Sequence, residues 1–215
     1  MQQELFDIKK LFPTHPMIEQ LTDLRITFLR LRDTLDQLGY IFKYPNEVVG
    51  KPEPDIDDKL QPLIEEFGPF PEALRQFYKI IGSLDFMGTH PDWEGCSYPD
   101  PLYIHGVDYT LSELETWQKR AGRSVYDILE GTKPEDPFWI FIAPDYFHKS
   151  DSCGGTDYEI LLPTSEWNPV IDQQWNRITL LEYLVLSAKW GGFPGLEKFP
   201  DHRWPLEKIK KGIRY

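Results

Sequence analysis

The sequence has few of the features that mark a disulfide-stapled, secreted or membrane-spanning protein. Its two cysteines, Cys96 and Cys153, match no zinc-ligand spacing and are too few for a disulfide framework, so we expect a reducing compartment. No apolar run approaches the roughly 18 residues that a membrane span needs. The longest such run, 138–143, has the length of a buried strand. The first ten residues lack the apolar core of a signal peptide, so a soluble cytoplasmic protein is predicted.

Positive charge is also scarce. The chain has 23 Lys and Arg residues against 35 Asp and Glu residues, which gives a formal net charge of −12. A field of this sign repels nucleic acid and anionic membranes and attracts basic proteins. An acidic composition also serves solubility alone, so charge by itself leaves both interpretations open.

Aromatic residues, in contrast, are abundant, at 14% of the 215 residues. A chain of this length is expected to form one domain, 1–215, with a core that needs no staples. A helix is predicted over 14–38, where leucines and Phe28 recur every three or four residues. The region of about 1–42 is taken as an N-terminal helical extension. Three prolines and a glycine make 43–55 a linker without regular structure.

The rest of the chain mixes helical and strand periodicity without strict alternation. This order predicts an α+β fold with a mainly antiparallel central sheet and helices packed around it. The run FWIFIA is apolar on both faces, so a central position in the sheet is expected. Capping boxes at Thr110–Glu113 and Thr179–Glu182 indicate two helix starts. Helices are predicted at 55–67, 71–81, 124–130 and 205–211, and strands at 84–87, 102–107, 138–143 and 158–162.

The loop 144–156 holds the densest set of reactive side chains. Asp145, His148 and Asp151, joined by His90 or His105, would suit a divalent cation. No established metal motif is present, and Asp, Ser and Gly also gather in loops for turn reasons. The sequence shows no arrangement of a nucleophile, a general base and a residue that orients the base. We therefore assign no catalytic residue, metal or cofactor.

A second loop, HPDWEGCSYPDP, combines aromatic and acidic residues around Trp93 and Tyr98. This composition is typical of protein interfaces, in which aromatic anchors are surrounded by a polar rim. A tryptophan covered by its own loop is the alternative, and single hydrophobic residues do not decide between them.

Three stretches carry a family resemblance: GPFPEALRQFYKIIGSLDFMG at 68–88, IAPDYFHKSDSCGGTDYEILLP at 142–163, and WGGFPGL at 190–196. They resemble the SUKH superfamily, over roughly residues 56–196. The resemblance implies an α+β domain without invariant catalytic residues. Many bacterial members are thought to be immunity proteins that neutralise toxins, often nucleases, and others resemble fungal regulators of cell-wall synthesis.

The sequence therefore predicts a non-catalytic, immunity-like protein that binds a basic protein partner and blocks its active site. It predicts no binding of nucleic acid or membranes. The alternatives are a metal-assisted hydrolase that uses the 145–157 loop and an intracellular regulatory scaffold. The residues expected on the partner surface, because of their loop positions, are Asp85, His90, Trp93, Tyr98, Asp100, His148 and Asp151.

Overall fold

The computed structural model describes residues 17–93, 100–120, 137–149 and 155–197, together with 208, 209 and 211. Helices and short strands follow one another irregularly along this part of the chain. The helices are α1 (Met17–Gln37), α2 (Ile56–Phe67), α3 (Glu72–Ile80), α4 (Val107–Arg120), α5 (Tyr146–Lys149) and α6 (Leu180–Lys189), followed by a 3-10 turn at Pro194–Glu197. The strands are β1 (Ile41–Phe42), β2 (Leu84–Asp85), β3 (Gly88–Thr89), β4 (Tyr103–Ile104), β5 (Phe138–Ala143) and β6 (Tyr158–Leu162).

The helix predicted over 14–38 is confirmed as α1, with residues 14–16 outside the described part. Its apolar side chains form one stripe, and Leu21, Phe28 and Leu35 are fully buried. Through this stripe α1 packs against α3 and α6. The segment expected as an extension therefore contributes to the same hydrophobic core as the later elements.

The predicted helices that follow the linker are also confirmed, as α2 and α3. The chain between them turns at Gly68, whose φ of 89° lies in the left-handed region that glycine adopts without strain. Pro71 precedes the first residue of α3, where its fixed φ suits a helix start. The apolar faces of both helices are buried in the core.

The proline-rich linker 43–55 contains no helix and no regular strand, as predicted. Hydrogen bonds nevertheless attach it to the core. The Gly50 N–H donates to the Ser83 carbonyl at 2.8 Å. The Arg25 guanidinium donates to the carbonyls of Gly50 at 3.0 Å and Ile81 at 2.9 Å. One half-buried arginine from α1 therefore joins the linker to the end of α3.

The described strands form three antiparallel pairs, β1 with β3, β2 with β4, and β5 with β6. The His105 N–H, just after β4, donates to the Ile142 carbonyl in β5 at 2.9 Å and links two of these pairs. Mixed helices and antiparallel strands confirm the α+β class at this level. In β5 one face is buried in the core, whereas Trp139 and Phe141 on the other face are only half-buried.

One of the two predicted helix starts is wrong. Helix α4 begins at Val107, so Thr110 lies within its first turn. The Thr110 hydroxyl is buried and lies 3.0 Å from the Tyr78 hydroxyl, so it bonds a core side chain instead of capping the helix. At α6 the capping box is confirmed, with Thr179 and Glu182 bonding each other's backbone N–H groups.

Helix α6 ends just before two glycines, which are followed by a buried phenylalanine. Gly191 and Gly192 adopt φ values of 67° and 93°. A side chain on Gly192 would press on the Phe86 ring, so this position also needs glycine for space. Phe193 is fully buried.

Two predicted helices lie at or beyond the edge of the described chain. The one at 124–130 lies outside it, and of 205–211 the structure describes three residues, all helical. Within the described parts, none of the helices has both the length and the apolar composition to span a bilayer.

Candidate functional site

The seven residues predicted on a partner surface lie in different environments. Asp85 and Asp100 are buried, with 8% and 2% of their surface exposed. His90 and Trp93 are half-buried, and the side chain of His148 is 45% exposed. The remaining two, Tyr98 and Asp151, lie outside the described residues.

Asp85 lies in β2, and it faces the interior. Its carboxylate accepts the Met87 N–H at 2.9 Å. Burial raises the pKa of Asp85 to about 6, although the Met87 N–H and the charges of Lys43 and Lys149 oppose the rise. Its loop-edge position in the sequence suggested exposure, and the structure corrects that expectation.

Asp100 forms a buried ion pair with Lys149. The Lys149 ammonium group lies 2.6 Å from an Asp100 carboxylate oxygen, and the two side chains are 0% and 2% exposed. The Tyr158 hydroxyl donates to the other oxygen at 3.1 Å, and the Tyr183 hydroxyl lies 3.4 Å from the ammonium. Asp100 is therefore part of an internal polar network and, contrary to expectation, presents no open contact surface.

His90 and Trp93 pack on each other with ring centroids 4.0 Å apart. The His90 Nδ1 accepts the Asp92 N–H at 3.0 Å, and its Nε2 lies 2.9 Å from the Leu38 carbonyl. A neutral ring with its proton on Nε2 satisfies both contacts. Trp93 also lies over Tyr40, with ring centroids 5.9 Å apart. The structure thus favours a tryptophan held against the core.

His148 is the most exposed of the described candidates and belongs to an acidic cluster. Its Nδ1 lies 2.7 Å from Asp145 and 3.6 Å from Asp157. Its backbone N–H also donates to the Asp145 carboxylate at 2.9 Å. Asp145 directly precedes α5, a single helical turn in a segment predicted as a loop. Any side chain at position 155 would clash with the Asp145 carboxylate. The backbone can therefore pass this close to Asp145 only because residue 155 is glycine.

The proposed cation ligands do not assemble within the described residues. His90 contacts Leu38 and Trp93, and His105 stacks on Tyr109 with centroids 3.6 Å apart. Burial lowers the pKa of His105 to about 4. In the parts of the chain that the structure describes, no three His, Cys, Asp or Glu side chains are arranged to hold a metal ion.

Negative charge is concentrated on the surface around α2. Residues 53–72 include seven acidic residues and one lysine. Because Ile56, Leu60 and Leu63 turn the apolar face of α2 inward, acidic side chains occupy the opposite face. Asp57 is also exposed, but it is paired with Arg75 and Lys79. We call the other exposed acidic residues here the acidic helix surface; they are Asp55, Asp58, Glu65 and Glu66.

Sequence reasoning missed two buried ionic residues, Lys149 and Glu159. Lys149 follows His148 in a polar stretch that resembled a solvated loop. Alternation in β6 placed Tyr158, Ile160 and Leu162 inward, which left Glu159 as a solvent-facing residue. No local pattern shows their burial, because it depends on segments that are distant in the chain.

In comparisons with known proteins, no family model, curated protein or solved structure matches this chain significantly.

Proposed function

We propose that this chain is a non-catalytic protein-binding module of the immunity type, with a SUKH-like fold and a central antiparallel sheet. In this proposal it acts in the cytoplasm. It binds a basic partner, such as a nuclease toxin, and blocks the partner's active site. Nucleic acid and membranes are not among its partners.

The acidic helix surface is the observation that supports this proposal most strongly. Of the seven acidic residues in 53–72, three (Glu53, Asp57 and Glu72) form ion pairs with Lys59, Arg75 and Lys79, so the proposal rests on the other four, which make up the acidic helix surface. Negative charge gathered on one exposed helix steers a basic protein towards that side, and complementary potentials raise association rates. A nuclease active site is basic because it binds phosphates, so the same surface would compete with nucleic acid for it.

The test begins with capture of partners from native lysate at low and high salt, followed by reconstitution with the purified partner. We expect inhibition of the partner's activity and salt-sensitive association. Substituting Asp58→Lys and Glu65→Lys, two exposed positions seven residues apart on α2, should slow association roughly tenfold or more.

The matched control is Asp23→Lys with Asp36→Lys on α1, which changes the net charge equally at other exposed positions. If both double variants slow association equally, overall charge and not the acidic helix surface steers the partner. If the partner binds but keeps full activity, the blocking mechanism is wrong and the scaffold alternative gains support.

The hydrolase alternative has one observation in its favour, the contact between Asp145 and His148. A buried carboxylate that orients an exposed imidazole supplies the base and the orienter of a catalytic arrangement that also needs a nucleophile. Hydrolysis of ester or phosphodiester substrates that is lost in His148→Gln would support this alternative. Equal activity in that variant would exclude His148 as the base.

A further inference from the structure

The outward face of the β5–β6 pair carries an unusual arrangement of acidic residues. Glu159 and Asp172 form an isolated antiparallel bridge in which each N–H donates to the other's carbonyl, at 3.3 and 2.8 Å. Residues paired in this way place their side chains on the same face, with Cα atoms about 5.5 Å apart. Two like charges therefore lie directly across from each other, which is destabilising.

Glu159 is also largely covered by the surrounding chain, while its carboxylate oxygens keep some contact with water. Only 9% of its surface is exposed. Among the described residues its carboxylate has no hydrogen-bond donor and no Lys, Arg or His within ion-pair distance. Buried carboxylates are normally paired, since an uncompensated buried charge is costly.

The groups next to Glu159 increase this imbalance. Burial, followed by the negative charges of Asp172 and Asp157, raises the pKa of Glu159. Burial likewise raises the pKa of Asp157, which His148 partly counteracts. Three carboxylates thus share one part of the face. Among the described residues, the basic side chain within ion-pair distance of them is the His148 imidazole, 3.6 Å from Asp157, and the charge of Lys149 adds a weaker attraction on Asp157.

We propose that Glu159, with Asp157 and Asp172 beside it, binds an arginine side chain of a basic protein partner. This inference rests on the proposed function and names a contact that such a partner makes. An arriving guanidinium group would supply the positive charge that the face lacks. Its several N–H donors would match the acceptor oxygens of neighbouring carboxylates.

The neighbours in β5 favour arginine over lysine. Phe141 is paired with Glu159 and Trp139 is paired with Leu161, so an aromatic and apolar strip borders the carboxylates. The two aromatic residues are half-buried and Leu161 is 42% exposed. A guanidinium group stacks on aromatic rings and is weakly hydrated, whereas the ammonium group of lysine keeps its water tightly.

The test is an NMR titration of the full chain with N-acetyl-arginine amide. The neutral isostere N-acetyl-citrulline amide and CaCl2 are run in parallel. We expect arginine amide alone to shift the backbone amides of β6 and of 170–172. In Glu159→Gln its affinity should fall roughly fivefold or more, and in Asp172→Asn by a smaller factor. Glu115→Gln, which removes one charge from an exposed position on α4, should bind as the unaltered chain does.

Equal shifts with citrulline amide, or undiminished affinity in Glu159→Gln, would overturn the arginine site. Saturable binding of Ca²⁺ without binding of arginine amide would replace it with a metal site. The small probe does not require the acidic helix surface or a captured partner. Its result is therefore independent of the association test above, so failure of the arginine site and failure of the proposed function can be told apart.

Discussion

Two buried carboxylates, Asp100 and Glu159, both adjoin Tyr158, yet their surroundings differ. Asp100 accepts a hydrogen bond from the Tyr158 hydroxyl, and Glu159 is the next residue in the chain. Asp100 receives the Lys149 ammonium at 2.6 Å and the Tyr158 hydroxyl at 3.1 Å. Glu159 has Asp172 directly across from it and no hydrogen-bond donor among the described residues. The same chemical group is thus compensated inside the protein at one position and left uncompensated at the other.

This difference separates a structural role from a binding role. The Asp100 network is closed, because its charge is already matched within the chain, so an external ligand has little to add. The Glu159 carboxylate has no cationic partner among the described residues. Binding of an external cation would therefore lower the free energy of the protein. A buried charge becomes a candidate binding residue when its compensation is missing, and burial alone does not make it one.

The largest effect is expected when the closed network is broken. Lys149→Met leaves the Asp100 charge buried without its cation, and removing one member of such a pair typically costs about 3–5 kcal/mol. We expect the free energy of unfolding, measured with urea, to fall by an amount of this order.

The double variant Lys149→Met with Asp100→Asn tests the cause of that loss. Asparagine still accepts the Tyr158 hydroxyl and tolerates the left-handed φ of 52° at this position. Most of the lost stability should return, since no unpaired charge remains. If the double variant is no more stable than Lys149→Met alone, shape and not charge explains the loss.

The sequence predicted the helices and the main strands but only part of the candidate site. Regular spacing identified α1, and capping residues identified the start of α6, because both signals are local. Lys149 gave no such signal: its partner Asp100 lies 49 positions away. For Glu159 the alternation of β6 indicated exposure, and only the pairing with Asp172 reveals its crowded position.

Asp85 is an intermediate case and should give the second largest effect. It has one backbone donor, Met87, and a pKa raised from 3.8 to about 6 by burial. Because the folded-state pKa is higher, the favourable contribution is complete below about pH 3.8 and is lost as the pH rises through about 6. The charged carboxylate therefore destabilises the fold at neutral pH.

Asp85→Asn keeps the acceptor for Met87 and removes the charge. We expect it to be more stable than the unaltered chain at pH 8, by up to about 3 kcal/mol, and to lose that advantage near pH 4. Urea unfolding across this pH range measures the difference, with the exposed Asp58→Asn as the control. An advantage that does not change with pH would show that Asp85 titration is not its source.

The smallest effect is expected at Glu159, where the comparison with Asp100 is sharpest. The raised pKa of Glu159 means that its favourable contribution, complete below the ordinary value of 4.5, is lost as the pH rises through the folded-state pKa. Glu159→Gln removes the like-charge pair with Asp172, so it should stabilise the free protein at pH 7 by up to about 1 kcal/mol, the size of a cross-strand side-chain interaction, and much less at pH 4. Substitution of a compensated carboxylate should change the free energy of unfolding in the opposite direction. Asp100→Asn alone leaves Lys149 unpaired, so we expect it to destabilise the protein. Thermal and urea unfolding of the two single variants measure both changes in stability.

If Glu159→Gln also destabilises the protein at pH 7, a cation within the chain already compensates Glu159. The contrast between the two carboxylates then disappears, together with the reason for an external arginine.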